Sequence, residues 1–163
     1  MNYKLYAEKF AQMTFEDAKT KCEGEGNGVS LPIPRSQDEN NFIMGILDGN
    51  EKSWLGITDE VDIWLLWKNQ NKPVKENENV WKGLDDVVIG VNNCGSVRNN
   101  GKCVNPSFAG PHYANWGPNQ PDNLPIVLPD TANHVRMDET GEWYDAPKTN
   151  NHFAICLKRE ITS

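Results

Sequence analysis

Residues 115–123, Asn115-Trp116-Gly117-Pro118-Asn119-Gln120-Pro121-Asp122-Asn123, set a neutral amide, Gln120, and a carboxylate, Asp122, on either side of a proline. An aromatic anchor, Trp116, stands just before them. The stretch has no helical or strand periodicity, and an ordinary polar turn needs proline and asparagine but not this set. Its side chains are oxygen donors and acceptors, which serve binding rather than covalent chemistry. Other reactive residue types form no constellation. His112, His134 and His152 lack the H-x-x-x-H spacing of a metal site and read as packed or surface histidines. There is no Gly-x-Ser-x-Gly or Gly-rich phosphate loop. Asp85-Asp86 is either a second cation site or an exposed acidic pair. A catalytic role therefore has almost no support.

Composition narrows the partners. The chain has 163 residues, enough to bury a sizeable core in one domain. Its net charge is −7, and Lys and Arg are scattered apart from Lys158-Arg159. That pattern argues against nucleic acid and anionic membranes, which need a basic footprint. The acidity fits either cation binding or solubility. No apolar run approaches the roughly 18 residues of a membrane helix. Met1-Asn2-Tyr3-Lys4 is not a signal peptide, so the chain reads as a mature product.

Cys22, Cys94, Cys103 and Cys156 form no C-x-x-C pair. An even count at wide spacing suggests two disulfides and an oxidising compartment. Four cysteines allow three pairings, and sequence alone does not choose among them. Asn100-Gly101 favours a type I′ turn that would bring Cys94 and Cys103 face to face, leaving Cys22 with Cys156. So long a loop would contribute up to about 4–5 kcal/mol in the chain-entropy account.

These residues need elements to position them. Residues 3–10 are aromatic-rich and predict a strand. Thr14 opens a helix with Asp17 in capping-box-like spacing, and Phe15, Ala18 and Cys22 share one face. Ser36 to Glu39 is a stricter capping box for a second helix over about 36–47, with Phe42, Ile43, Ile46 and Leu47 in a stripe. Short aromatic and β-branched runs at 53–57, 63–67, 134–137 and 152–157 predict strands. Gly141-Glu142-Trp143 predicts a turn into an aromatic. Residues 68–111 are polar, with only weak strand candidates such as Val87-Val88-Ile89. Two helices followed by many short strands is an α+β arrangement.

The whole series resembles the C-type lectin-like domain over nearly its full length, residues 1–163 forming a single carbohydrate-recognition domain. The matching residues are Phe15, Ala18 and Cys22; Leu31-Pro32-Ile33; Trp54-Leu55-Gly56-Ile57; Asn115-Trp116; Gln120-Pro121-Asp122; Gly141-Glu142-Trp143; and Phe153-Ala154-Ile155-Cys156. The resemblance implies two helices, short antiparallel sheets and a long loop that holds calcium and sugar. It implies an outer Cys22–Cys156 pair and a cis bond at Gln120–Pro121. Gln120, Asp122, Asp130 and Asp145 become the expected calcium ligands. Calcium takes about 6–8 oxygens, completed by two neighbouring sugar hydroxyls. The order Gln-Pro-Asp implies galactose-type sugars. Gln120, Asp122, Asp145 and Tyr144 become the expected sugar contacts, with Tyr144, or else Tyr113, as the stacking aromatic. The expected protein is a secreted, soluble invertebrate lectin that binds galactose-containing glycans without chemistry, as a non-covalent homodimer. A lectin-like domain that has lost sugar binding and contacts proteins is the alternative.

Departures from the family pattern are specific. The position of the second family carboxylate is Ala132, so Asp130, or else Asn133, is expected to substitute, with Asp130 preferred for its charge. Trp-Asn-Asp reads Trp143-Tyr144-Asp145. His134 and the 146–149 stretch stand where the inner cysteines would be. An insertion of about 35 residues, about 76–111 and stapled by Cys94–Cys103, is expected as a long irregular loop.

Overall fold

The computed structural model describes residues 2–59, 78–93, 106–121 and 134–162. Within them the chain order is β1 (Asn2–Met13), α1 (Phe15–Glu23), β2 (Val29–Ser30), α2 (Gln37–Met44), β3 (Ser53–Thr58), β4 (Glu78–Gly83), β5 (Val88–Asn93), β6 (Ser107–Ala109), β7 (His134–Met137), β8 (Trp143–Ala146) and β9 (His152–Thr162). This is the expected α+β class, with one difference. The described strands join into one nine-stranded sheet rather than several short ones.

Both helices start where their caps place them. The Thr14 hydroxyl accepts from the Asp17 amide at 3.4 Å, and Phe15, Ala18 and Cys22 are buried along one face. The Ser36 hydroxyl accepts from the Glu39 amide at 3.2 Å. The reciprocal half of that capping box differs from expectation. The Glu39 carboxylate accepts from the Arg35 amide at 3.2 Å and otherwise turns to Arg159 and the Tyr3 hydroxyl. A charge that is only 4% exposed needs a cationic partner more than a local amide. Arg159, one of the two adjacent basic residues, is thereby a structural partner. Burial opposes ionisation of Glu39, but the bonds from Arg159 and Tyr3 outweigh it and hold its pKa below the usual range.

The sheet runs β1-β9-β3-β4-β5-β6, with β2 beside β9, and with β7 pairing β3 and β8. β1 and β9 pair antiparallel from Asn2↔Thr162 to Met13↔His152, which brings the two ends of the chain together. Cys22 on α1 bonds Cys156 on β9, as expected. Phe15, Ala18, Leu31 and Trp54 pack around this bridge. A second cluster holds Ile43, Leu55, Ile57, Trp81, Met137, Trp143 and Ile155. Trp54 donates its indole N–H to the Met13 carbonyl at 2.8 Å, and Trp143 donates to the Asn40 side chain at 2.8 Å. Buried indoles with satisfied N–H groups fix the relative positions of the elements that carry them.

The polar stretch over about 76–111 departs from the irregular loop expected of it. It contains β4, β5 and β6, which continue the sheet outward from β3. Trp81 and Ile89 lie in the core. The expected strand over 63–67 and the Cys94–Cys103 pair lie outside the described residues.

Candidate functional site

The segment 113–121 crosses β8 and is pinned to it by backbone bonds. The Trp143 amide donates to the Asn115 carbonyl and the Gly117 amide donates to the Trp143 carbonyl, both at 2.9 Å. Trp116 thereby makes a parallel bridge with Trp143. Its ring meets Trp81, Phe108 and Trp143 at centroid separations of 5.1, 5.7 and 5.9 Å. The Asn115 side chain donates to the Gly141 carbonyl at 2.7 Å, and Asn40 of α2 donates to the same oxygen at 2.9 Å. Gly141 has φ 84°, a conformation that favours glycine, and this turn delivers the chain into Trp143.

A tight turn follows. The Gln120 amide donates to the Gly117 carbonyl at 3.1 Å. Pro118 at the second position and Asn119 at φ 60° match the residue preferences of a type II turn. The Gln120–Pro121 bond is cis, as the resemblance implied. Pro121 is buried, and its carbonyl accepts from the Asn92 side chain of β5 at 3.4 Å. The side-chain oxygen Oε1 of Gln120 is buried and has no hydrogen-bond partner among the described residues. A buried carbonyl oxygen is costly unless a donor or a cation completes it.

Tyr144 comes next to this turn through β8, and Asp145 follows it on the same strand. The Tyr144 ring presses on Gly117, where an added Cβ would stand 2.7 Å from Cζ. Its hydroxyl donates to Glu142 Oε2 at 3.2 Å, and the Arg136 guanidinium lies 4.9 Å from the ring centroid. Burial, then the Glu142 charge, raises the Tyr144 pKa. Asp145 is half-buried and pairs in register with Val135 of β7. Tyr113, the other stacking candidate, is taken up elsewhere. Its hydroxyl donates to Gln37 of α2 at 3.0 Å and its ring packs 5.8 Å from Trp143. Asp122 and Asp130 lie outside the described residues. Among the described residues no three acidic, histidine or cysteine side chains cluster as a metal site.

The chemistry of the donors still fits a calcium ion. Gln120 Oε1 is a neutral oxygen lacking a partner among the described residues, and Asp145 supplies a carboxylate on the adjoining strand. Hard oxygens of both kinds are what calcium takes. Sequence reasoning did not find Asn92, Arg136 or the Trp81 and Phe108 rings beneath Trp116. Only the run Val80-Trp81 carried a trace of them.

His134, expected where an inner cysteine would be, is fully buried on β7 against the Phe15 ring, at a centroid separation of 4.1 Å. Burial, helped by the Lys148 charge, lowers its pKa to about 4. His152 packs 4.7 Å from Trp54 and is lowered to about 4, by burial and then by Arg136 and Lys52. Both belong to the packing of the strands.

The family model of the lectin C-type domain matches residues 11–158, and the chain belongs to that family. The mouse scavenger receptor C-type lectin carbohydrate-recognition domain superposes with a TM-score of 0.60 at 23% identity, over 100% of this chain and 93% of that one. The cow CD23 C-type carbohydrate-recognition domain, solved in the presence of a GlcNAc2Man3 oligosaccharide, gives 0.59 at 20%, over 100% and 92%. A calcium-independent type II antifreeze protein gives 0.55 at 20%, over 98% and 88%. At these identities the likeness is one of fold.

Proposed function

We propose that the protein is a secreted lectin that binds galactose-type sugars on glycans in a calcium-dependent way and performs no chemistry on them. The observation that carries this reading is the buried Oε1 of Gln120, which has no partner among the described residues and stands at the end of a turn fastened to the strand that bears Asp145. Gln120, Asp122, Asp130 and Asp145 would hold the ion. Calcium, when bound, supplies a hard cation on which two neighbouring sugar hydroxyls can sit. Gln120 and Asp122 would also offer hydrogen bonds to those hydroxyls, and Tyr144 would be the aromatic that stacks on the sugar. The Cys22–Cys156 bridge fits an oxidising compartment. Among the described residues no helix is long and apolar enough to cross a membrane. Two chains would pair without a covalent bond, which raises avidity for clustered glycans.

Thermal unfolding tests the reading. A ligand held only by the folded state stabilises it by about 2.7 kcal/mol at a hundredfold excess over Kd. Calcium should raise the melting temperature, and galactose should raise it further only when calcium is present. Asp122→Ala should remove the sugar increment and shrink the calcium one. Identical curves in calcium and in chelator, unchanged by galactose, would overturn the proposal. That outcome would favour a second reading, contact with proteins in place of sugar. Its support is that Tyr144 is already held by Glu142, Arg136 and Gly117.

A further inference from the structure

We propose that two copies of this chain pair edge to edge through β1, antiparallel about a two-fold axis at Tyr6, so that the two sheets become one. The pairing gives the proposed dimer a surface, and its test uses no sugar, so either proposal can fail alone.

The sheet path has two ends. β6, at one end, spans three residues and offers little to pair with. β1, at the other, spans twelve residues, and among the described strands it pairs only with β9. A long unpaired edge is a template for another strand unless it is broken by proline or a bulge, or kept short. β1 contains no proline. Its register against β9 is regular from Asn2 to Phe10, and the irregularity between Phe10 and Gln12 closes that stretch. Tyr6 is its midpoint.

Placing the two-fold there sets Lys4 opposite the partner's Glu8, and Glu8 opposite the partner's Lys4. Leu5 faces the partner's Ala7, and Tyr6 meets the partner's Tyr6. Tyr3, Lys4, Tyr6 and Glu8 are exposed. Among the described residues neither Lys4 nor Glu8 forms an ion pair, although Lys4 lies 5.6 Å from the Tyr6 ring. Opposite charges directly across a strand pair are favourable, and like charges are not. The charges also choose the register. Sliding the strands by one pleat sets Lys4 against Tyr6 or Phe10. Sliding by two sets Lys4 on Lys4 or Glu8 on Glu8, and in-register parallel pairing does both. The exposed cross-strand pair Tyr3 and Ile161 adds apolar surface beside the seam. A self-complementary patch on a two-fold axis closes as a dimer rather than growing into a filament.

Sedimentation equilibrium of the full chain at micromolar concentration, without sugar, tests this. The unsubstituted chain should be dimeric. Lys4→Glu and Glu8→Lys each put like charges across the seam twice and should weaken the dimer roughly tenfold or more. An equimolar mixture of these two variants should dimerise again, because one chain then presents two carboxylates and the other two ammonium groups. The double variant Lys4→Glu/Glu8→Lys should dimerise like the parent. A monomeric parent, single variants that dimerise as the parent does, or a mixture that stays monomeric would each overturn the proposal.

Discussion

The framework made by the two chain ends and the region that carries the candidate site are held in different ways. β1, α1 and β9 share a disulfide and an apolar cluster, and α2 is tied to β1 and β9 by the Glu39–Arg159–Tyr3 contact. These bonds are redundant and need nothing from outside the chain. The segment 113–121 rests on β8 through ring edges and a few backbone bonds, and among the described residues its Gln120 oxygen has no partner. A frame that is complete by itself can hold an incomplete site open for a ligand.

The largest effect should come from the frame. Replacing Cys22 and Cys156 by alanine removes a crosslink spanning 134 residues of sequence, worth about 4–5 kcal/mol in the chain-entropy account. Denaturant unfolding should show that loss, with the candidate site lost in the same transition. If the midpoint does not move, the contrast drawn here between a crosslinked frame and a packed site has no energetic basis.

Next in size is the aromatic seat of the site. Trp116→Ala removes a ring packed among Trp81, Phe108 and Trp143 and should cost about 3–4 kcal/mol. Proteolysis near residue 117 should speed up at a concentration of denaturant where the β1/β9 pair is still protected. Cleavage and global unfolding rising together would show that the two regions are a single cooperative unit.

Acid should strike where the regions meet, at His134 and His152. Each is depressed from 6.5 to about 4, so the native protein holds neutral imidazoles while the unfolded chain takes up protons below about pH 6.5. Their contribution is therefore complete above pH 6.5 and is lost as pH falls toward 4. The loss should be about 2–3 kcal/mol for buried His134 and smaller for half-exposed His152. His134→Phe, which keeps the ring against Phe15, should flatten the dependence of unfolding on pH in that window. A slope unchanged by the substitution would assign the acid sensitivity to other groups.

How well sequence foretold each region follows the range of the forces involved. α1 was legible because Thr14, Phe15, Ala18 and Cys22 are neighbours in sequence and on one face. The Ser36–Glu39 box was only half legible, since Arg159 claims the carboxylate from 120 residues away. β4 was hidden because Val80 and Trp81 are both buried in mid-sheet. That removes the alternation of a half-buried strand, and the polar neighbours suggested a loop. At the site, Gln120, Tyr144 and Asp145 were visible as local motif positions. Asn92, which holds the Pro121 carbonyl, was not, because only the folded sheet brings β5 to that turn.

The smallest effect isolates the join between turn and strand. A Cβ on Gly117 would stand 2.7 Å from Tyr144 Cζ, 2.9 Å from its hydroxyl oxygen and 3.0 Å from Glu142 Oε2. Arg136 also packs on that ring, so the ring cannot move without giving up a contact. Gly117→Ala should therefore cost about 1–2 kcal/mol through overpacking. In a Tyr144→Ala background the two nearest contacts are gone and the flexible Glu142 carboxylate at 3.0 Å remains, so the same change should cost less. The difference between the two costs is the coupling of Gly117 to Tyr144, which a double-mutant cycle reads directly. Gly117 also opens the turn that ends at Gln120, so a displaced ring should reduce the calcium-induced rise in melting temperature in Gly117→Ala. Equal costs in the two backgrounds would remove Tyr144 as the residue that presses on the turn, and with it the link from β8 to the Gln120 oxygen.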